Sequence, residues 1–281
     1  MAADGGRMSE ASETTNRGQA GRILRAAGRG AAHLSSIPAL LIAWELFARS
    51  GAVTMFMLPP FSAVAERIWA NAFDGSLWIN IGLTLYRTMA GFLLACAIGV
   101  ALGVAMARTR LARWFFDPII SIGFPMPKVV FLPVVILWLG VFDVSKITMI
   151  TVEAVFPVVT ATVLGIQGVG HELIWSARNM GAREREVLWH VLLPAAFPQI
   201  MTGFQIALPI ALIVAIFTEM AMGGFGLGGT MMQSSRFADS RGVFAGIVEI
   251  AVIGYFAGLA LALLRRRLLL WHQKAIAPGT A

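Results

Sequence analysis

Residues 172–198 read ELIWSARNMGAREREVLWHVLLPAAFP, the longest polar interruption in an otherwise apolar chain. The stretch predicts two short helices broken at Gly181. Val187, Leu188, Val191 and Leu192 recur at helical spacing and form an apolar stripe. Arg183, Glu184, Arg185 and Glu186 precede that stripe and make one end wet. Gly181 closes a helical run, where a left-handed residue without a side chain fits best. Pro194 and Pro198 open the next apolar helix, where proline's missing N–H is tolerated. The segment therefore predicts a helical elbow on a membrane surface, joined to the start of a spanning helix. An ordinary solvated loop is the competing reading of the same residues.

Composition sets the environment. Of 281 residues, 58% are hydrophobic and 13% charged, and the mean hydropathy is +0.77. Such a chain is outside the soluble range and reads as an all-α membrane protein. A bilayer demands about 20 apolar residues per spanning helix. A β-barrel needs an alternation of apolar and polar residues that is missing here. The net charge of +7 sits at the ends of apolar runs, which points to membrane topology rather than nucleic acid. Cys96 is the single cysteine; it lies in an apolar run and reads as a packing residue.

Along the chain, residues 1–33 are small, polar and arginine-rich and predict a disordered cytoplasmic tail. A cleaved signal peptide is the competing reading, with its apolar run at 37–48; a count of six spans needs that run retained. Six spans are expected at 34–49, 84–107, 122–141, 147–166, 195–222 and 243–264. They form a six-helix domain over 34–270, with the elbow loop at 167–194 and a cytoplasmic tail at 271–281. Leu58-Pro59-Pro60 breaks the chain before an amphipathic helix over 61–73 on the outer surface. Gly99 and Gly103 mark a close helix contact in the second span. Residues 108–113 read as a basic loop. Pro125, Pro127 and Pro133 must break or bend the irregular third span, with Lys128 snorkelling to the inner surface. Residues 140–145 read as a tight outer turn and residues 223–229 as a flexible outer loop.

Basic residues test the topology. Arg108, Arg110, Arg113, Arg178, Arg183, Arg185, Arg265, Arg266, Arg267 and Lys274 join the tail arginines on one side. Only Arg49, Arg67, Arg87, Lys146, Arg236 and Arg241 fall on the other. The bias puts both termini and the elbow in the cytoplasm.

The chain lacks G-x-x-x-x-G-K-[ST], since none of Lys128, Lys146 and Lys274 precedes Ser or Thr. ATP hydrolysis by this chain is not expected. No metal motif is visible, and His171 and His190 read as surface residues beside the elbow. Glu45, Glu153, Glu219 and Glu249 lie in or near spans. Charge in hydrocarbon is costly, so Glu153, Glu219 and Glu249 are candidates for a translocation path or gate. Structural hydrogen bonding is the competing role. The same carboxylates leave open a proton-coupled secondary transporter, and a structural membrane subunit is a third class.

Ala177-x3-Gly181, followed by Val191-Leu192-Leu193-Pro194, resembles the EAA loop of ATP-binding-cassette (ABC) importer permeases. Trp175-Ser176-Ala177 stands where that family has E-A-A, so its glutamate is missing here. Leu58-Pro59-Pro60, Pro125-x-Pro127…Pro133…Trp138-x-Gly140 and Glu219…Gly226-Leu227-Gly228 are similar to permeases of nitrate, sulfonate and taurine importers. Similarity extends to permeases for thiamine precursors and aromatic acids. The resemblance implies a coupling helix at the elbow, between the fourth and fifth spans. It implies contact with a separate ATPase through Glu172, Ser176, Ala177, Arg178, Gly181, Ala182, Arg183, Glu186, Leu193 and Pro194. It further implies a homodimer of this chain, two ATPase subunits that bind ATP and magnesium, an extracytoplasmic solute-binding protein, and a bacterial inner-membrane location. The implied solute is a small anion such as a sulfonate, taurine or nitrate.

Overall fold

The computed structural model describes residues 36–269, so the tails expected at 1–33 and 271–281 lie outside the described residues. Every regular element among the described residues is helical. The chain divides into two compact units, Met1–Ala65 and Glu66–Ala281.

In the first unit, helix α1 covers 36–49. Glu45 accepts from Arg49 Nε at 2.6 Å and from the Ser62 N–H at 3.0 Å. Trp44 Nε1 donates to the Pro59 carbonyl at 3.0 Å. These bonds fold the Pro59-Pro60 break back on α1. The described part of α1 reaches about 21 Å at 1.5 Å per residue, short of the ~30 Å hydrocarbon layer.

Helix α2 (Phe61–Phe73) leads into the second unit, followed by α3 (Ser76–Arg108), α4 (Arg110–Gly123), a 3₁₀ turn (Lys128–Phe131), α5 (Leu132–Leu139) and α6 (Asp143–Gln167). Then come α7 (His171–Asn179), α8 (Glu184–Glu186), a π turn (Val187–Leu192), α9 (Leu193–Met222), α10 (Leu227–Arg236) and α11 (Ser240–Leu268). Among the described residues, four helical stretches are long and apolar enough to cross a bilayer: Ser76–Arg108, Asp143–Gln167, Glu184–Met222 and Ser240–Leu268. The pair formed by Arg110–Gly123 and Lys128–Leu139, bent by 94°, supplies a fifth.

Contacts fix the directions. A Cβ on Gly91, Gly99 or Gly103 of α3 would meet Ile150, Val158 or Thr162 of α6 at 2.5–2.6 Å. The constant offset makes α3 and α6 parallel, and only backbones without Cβ atoms approach so closely. Gly165 meets Ala196, while Gly203 meets Ala161, so α9 returns antiparallel to α6. Gly254 against Leu212, and Arg265 bonded to Gln205 and Thr202, bring α11 back along α9. Because α3 and α6 are parallel, α4 and α5 between them must cross from one end to the other. One end thus holds Arg108, Gln167, the elbow and Arg265; the other holds Arg87, Asp143, Glu219 and residues 223–239.

Several expectations are corrected. The second span starts at Ser76, two turns earlier than expected, because Asn80, Thr84 and Arg87 are buried with partners rather than solvated. The basic stretch at 108–113 is mostly helix: Thr109 caps α4 by accepting from the Ala112 N–H at 3.3 Å. The third span is broken where the prolines require it, but it starts earlier than expected, since α4 begins at Arg110. Lys128 does not snorkel: it is 6% exposed and donates to the Gly123 carbonyl. Residues 223–229 are only partly loop, since Leu227 begins α10. The elbow's second helix is not separate: Glu184 to Met222 forms one span, and Pro198 lies inside α9 rather than at its start. The π turn explains that continuity. In an α-helix the Pro194 ring would strike the carbonyl four residues back, and widening to i→i+5 bonding relieves the clash.

Candidate functional site

The elbow is assembled from its buried side outward. Ala177 is buried and packs with Ile166, Val169, Val187, Leu192, Ala196 and Ile200. α7 is thereby fastened to the ends of α6 and α9. Its stop is a Schellman motif. Gly181 has φ +84°, its N–H donates to the Arg178 carbonyl at 2.9 Å, and the Ala182 N–H donates to the Ala177 carbonyl at 3.1 Å. The Glu186 carboxylate accepts from the Arg183 N–H at 2.7 Å and starts the next turn.

Charge then ties the elbow to α3. Glu184 pairs with Arg178 at 2.7 Å and with Arg108 at 2.9 Å. A cavity of about 460 Å³ lies behind this triad, lined by Arg108, Gln167, His171, Ile174, Arg178 and Glu184 among others. Glu172, Ser176, Arg178, Gly181, Arg183, Glu186 and Pro194 are exposed, while Ala182 and Leu193 are half-buried. The expected coupling residues therefore share one loop, with Ala177 as its anchor and the charged ones facing out.

Reading the sequence missed two parts of this surface. Arg108 and Glu184 form a link that no local spacing announces. Trp175, Met180 and Trp189 stand exposed among the charges. Exposed aromatic and methionine side chains inside a polar rim suit contact with another protein or with the membrane interface. The signal was available in two tryptophans within a polar stretch.

The three span carboxylates are held in three separate settings. Glu219 is fully buried at the end opposite the elbow. It accepts from Arg87 Nη1 at 2.7 Å, from Thr84 Oγ1 at 2.9 and 3.0 Å, and from the Gly228 N–H at 3.0 Å. Arg87 also donates to Asp143 at 2.8 Å and to the Phe225 carbonyl at 2.7 Å. Asn80 receives the Gly226 N–H at 2.8 Å, and Lys146 reaches the Gly223 carbonyl at 3.1 Å. This knot holds the Gly223–Gly226 turn and starts α10. Glu249 accepts from Asn71 Nδ2 at 3.4 Å and lines a polar cavity of about 320 Å³ with Arg67, Asp74, Gln233 and Asp239 among others. Glu153 lies 3.6 Å from Lys128. Outside the spans, the Ser76 hydrogen bonds at the head of α3 hold the Asp74 carboxyl below its ordinary value. Among the described residues no group of three or more His, Cys, Asp or Glu is placed to hold a metal.

The family described as binding-protein-dependent transport system inner membrane component matches residues 97–270. The taurine transport system permease protein TauC of Escherichia coli is 32% identical, over 85% of this chain and 89% of its own. A putative aliphatic sulfonates transport permease, SsuC of Bacillus subtilis, is 31% identical over 84% of this chain and 86% of its own. An inward-facing structure of the MetNI methionine ABC transporter shares the fold with a TM-score of 0.60 at 22% identity, covering 67% of this chain and 94% of that one. The chain belongs to the binding-protein-dependent transport system inner membrane components, the permease subunits of ABC importers.

Proposed function

We propose that this permease has six spans, with α1 as the first, and that both termini and the elbow face the cytoplasm. Arg108, Arg110, Arg113, Arg178, Arg183, Arg185 and Arg265–Arg267 at the elbow end support that side. The elbow is the coupling helix. Two copies of the chain, two ATPase subunits that hold ATP and magnesium, and an extracytoplasmic solute-binding protein complete the importer in a bacterial inner membrane. The apolar faces of α11, with Tyr255 and Phe256 exposed, suit lipid or the second copy.

One observation carries the coupling role: Glu184–Met222 is a single 39-residue span that starts three residues after the Gly181 stop. A push on α7 from an ATPase turns about Gly181 and reaches α9 without a joint between. Glu172, Ser176, Arg178, Arg183 and Glu186 offer polar contact, and Trp175, Met180 and Trp189 the apolar anchors. Ala177, Ala182, Leu193 and Pro194 hold the frame behind them. Alternating access is then a rigid-body change of α9 against α3 and α6.

The solute is a small organic sulfonate or taurine, with nitrate as the inorganic counterpart. The names of the similar permeases TauC and SsuC support the sulfonate class. The test is a mild-detergent pull-down of the tagged chain from its native membrane, followed by an ATPase assay and uptake of taurine and ethanesulfonate. A stoichiometric ATPase, lost when Trp175 and Trp189 are both replaced by Ser, is the expected result. A chain recovered alone and without ATP hydrolysis overturns the coupling role.

A further inference from the structure

The break between α4 and α5 holds a charge pair against the middle of α6. Glu153 lies on α6 about 15 Å along the helix from Asp143 and about 21 Å from Gln167, close to mid-span. Lys128 opens the 3₁₀ turn at the 94° bend. Its side chain is 7% exposed. Irregular backbone at membrane depth must be satisfied by protein or line a cavity. Lys128 supplies the satisfaction: its ammonium donates to the Gly123 carbonyl at 2.8 Å and the Met126 carbonyl at 3.2 Å. Those are the carbonyls that the end of α4 and the break leave open.

An ammonium has three donors, and two are spent on carbonyls. The remaining side looks onto the Phe156 ring, 4.2 Å from its centroid, and Glu153 Oε2 at 3.6 Å. That last contact is loose, and Glu153 Oε2 is buried without a hydrogen bond. Glu219 differs, since both of its oxygens are bonded. A buried carboxylate oxygen left in this state is costly, and it is easily exchanged for a better acceptor. Broken spans with a charge at mid-membrane are where transported ions are held.

We propose that Lys128 is the charge-selecting residue of the translocation path: during transport the anionic head of the solute takes the place of Glu153 beside its ammonium. The proposal rests on the sulfonate-type reading of the solute. Sulfonates and carboxylates qualify by this chemistry, whereas organic cations are rejected.

The test uses the whole complex, with its ATPase and binding protein, in proteoliposomes, and radiolabelled taurine and ethanesulfonate as probes. The double variant Lys128→Gln/Glu153→Gln removes both charges and keeps an amide donor for the Gly123 and Met126 carbonyls. It is expected to assemble and to hydrolyse ATP within about twofold of the parent, while probe uptake falls about tenfold or more, the worth of one charge-assisted hydrogen bond. Lys128→Arg restores most of the uptake. A double variant that imports at the parent rate makes the pair merely structural and overturns the proposal. A second measurement does not depend on the solute. In a Cys96→Ala background, Glu153→Cys keeps Lys128 and puts a thiol where the anionic head would sit. During ATP turnover a sulfonatoethyl thiosulfonate reagent is expected to modify it faster than a trimethylammonium one. A thiol inert to both, or faster with the cation, overturns the proposal. If the parent complex imports neither probe, the sulfonate reading falls, and the labelling still decides whether the path passes Lys128.

Discussion

Arg87 meets Glu219 at 2.7 Å, and Arg178 meets Glu184 at 2.7 Å. The contacts are alike, but the surroundings are opposite. The first pair has side chains 6% and 0% exposed, the second 51% and 59%. In the buried pair each oxygen and most of the guanidinium are spoken for by Thr84, Asp143, Phe225 and Gly228. Removing Arg87 there strands the Glu219 charge in a low dielectric. In the exposed triad water replaces a lost partner at little cost. The same residue types thus make a fixed point at one end of the bundle and a yielding contact at the other. The proposed drive from the elbow calls for that asymmetry, with one end able to shift while the other keeps α3, α6 and α9 in register.

The largest effect is expected at the fixed point. Arg87→Ala leaves the buried Glu219 carboxylate without its cation, a loss of about 3–5 kcal/mol, and Glu219→Ala costs less, because Arg87 keeps the half-exposed Asp143. Fluorescence-monitored melting of the detergent-purified complex should show a large drop in Tm, or a failure to recover protein. The paired variant Arg87→Met/Glu219→Gln should recover much of that loss, because no charge is then stranded. If Arg87→Ala melts like the parent, the knot is not a fixed point and the contrast between the two ends collapses.

This contrast was only half legible in the sequence. Gly181 announced its turn because a left-handed position after a helix is a local matter. Span cores were legible from hydropathy, and the break between α4 and α5 from its prolines. Arg87 and Lys146 read only as outer-side charges, since hydropathy counts a charge without seeing the partner that buries it. Glu219 lies 132 residues from Arg87, and no spacing rule reaches so far. α10 was hidden for a related reason: its glycine-rich start is held by Asn80, Thr84 and Glu219 through backbone N–H groups, not by its own propensity. The π turn was illegible because i→i+5 bonding leaves no pattern of its own in the sequence.

A middle-sized effect belongs to Gly181. No atom lies within 4 Å of a Cβ built there, so crowding is not the obstacle. The φ of +84° is. A β-branched residue at such an angle costs about 1–3 kcal/mol. Gly181→Val should therefore leave assembly intact but shift the α7 stop, lowering uptake per ATP hydrolysed in proteoliposomes. Gly181→Asn, which tolerates left-handed backbone, should behave more like the parent. Equal coupling ratios for Val and glycine would remove the hinge from the yielding end.

The smallest effect is expected at Glu184, and its size is the point. Glu184→Gln breaks the pairs with Arg178 and Arg108, yet exposed ion pairs are worth about 0–1 kcal/mol. The Tm of the complex should move by no more than a degree or two. Salt separates this pair from the buried one. At 0.1 M the screening length is about 10 Å, and at 1 M about 3 Å, so high salt should erase the difference between Glu184→Gln and parent in ATPase coupling. The same salt should leave the Arg87→Ala defect untouched, because solvent ions do not reach a buried pair. A Glu184→Gln defect as large as that of Arg87→Ala, or one insensitive to salt, would mean that the elbow triad is locked as firmly as the knot, and movement would have to be sought elsewhere in the chain.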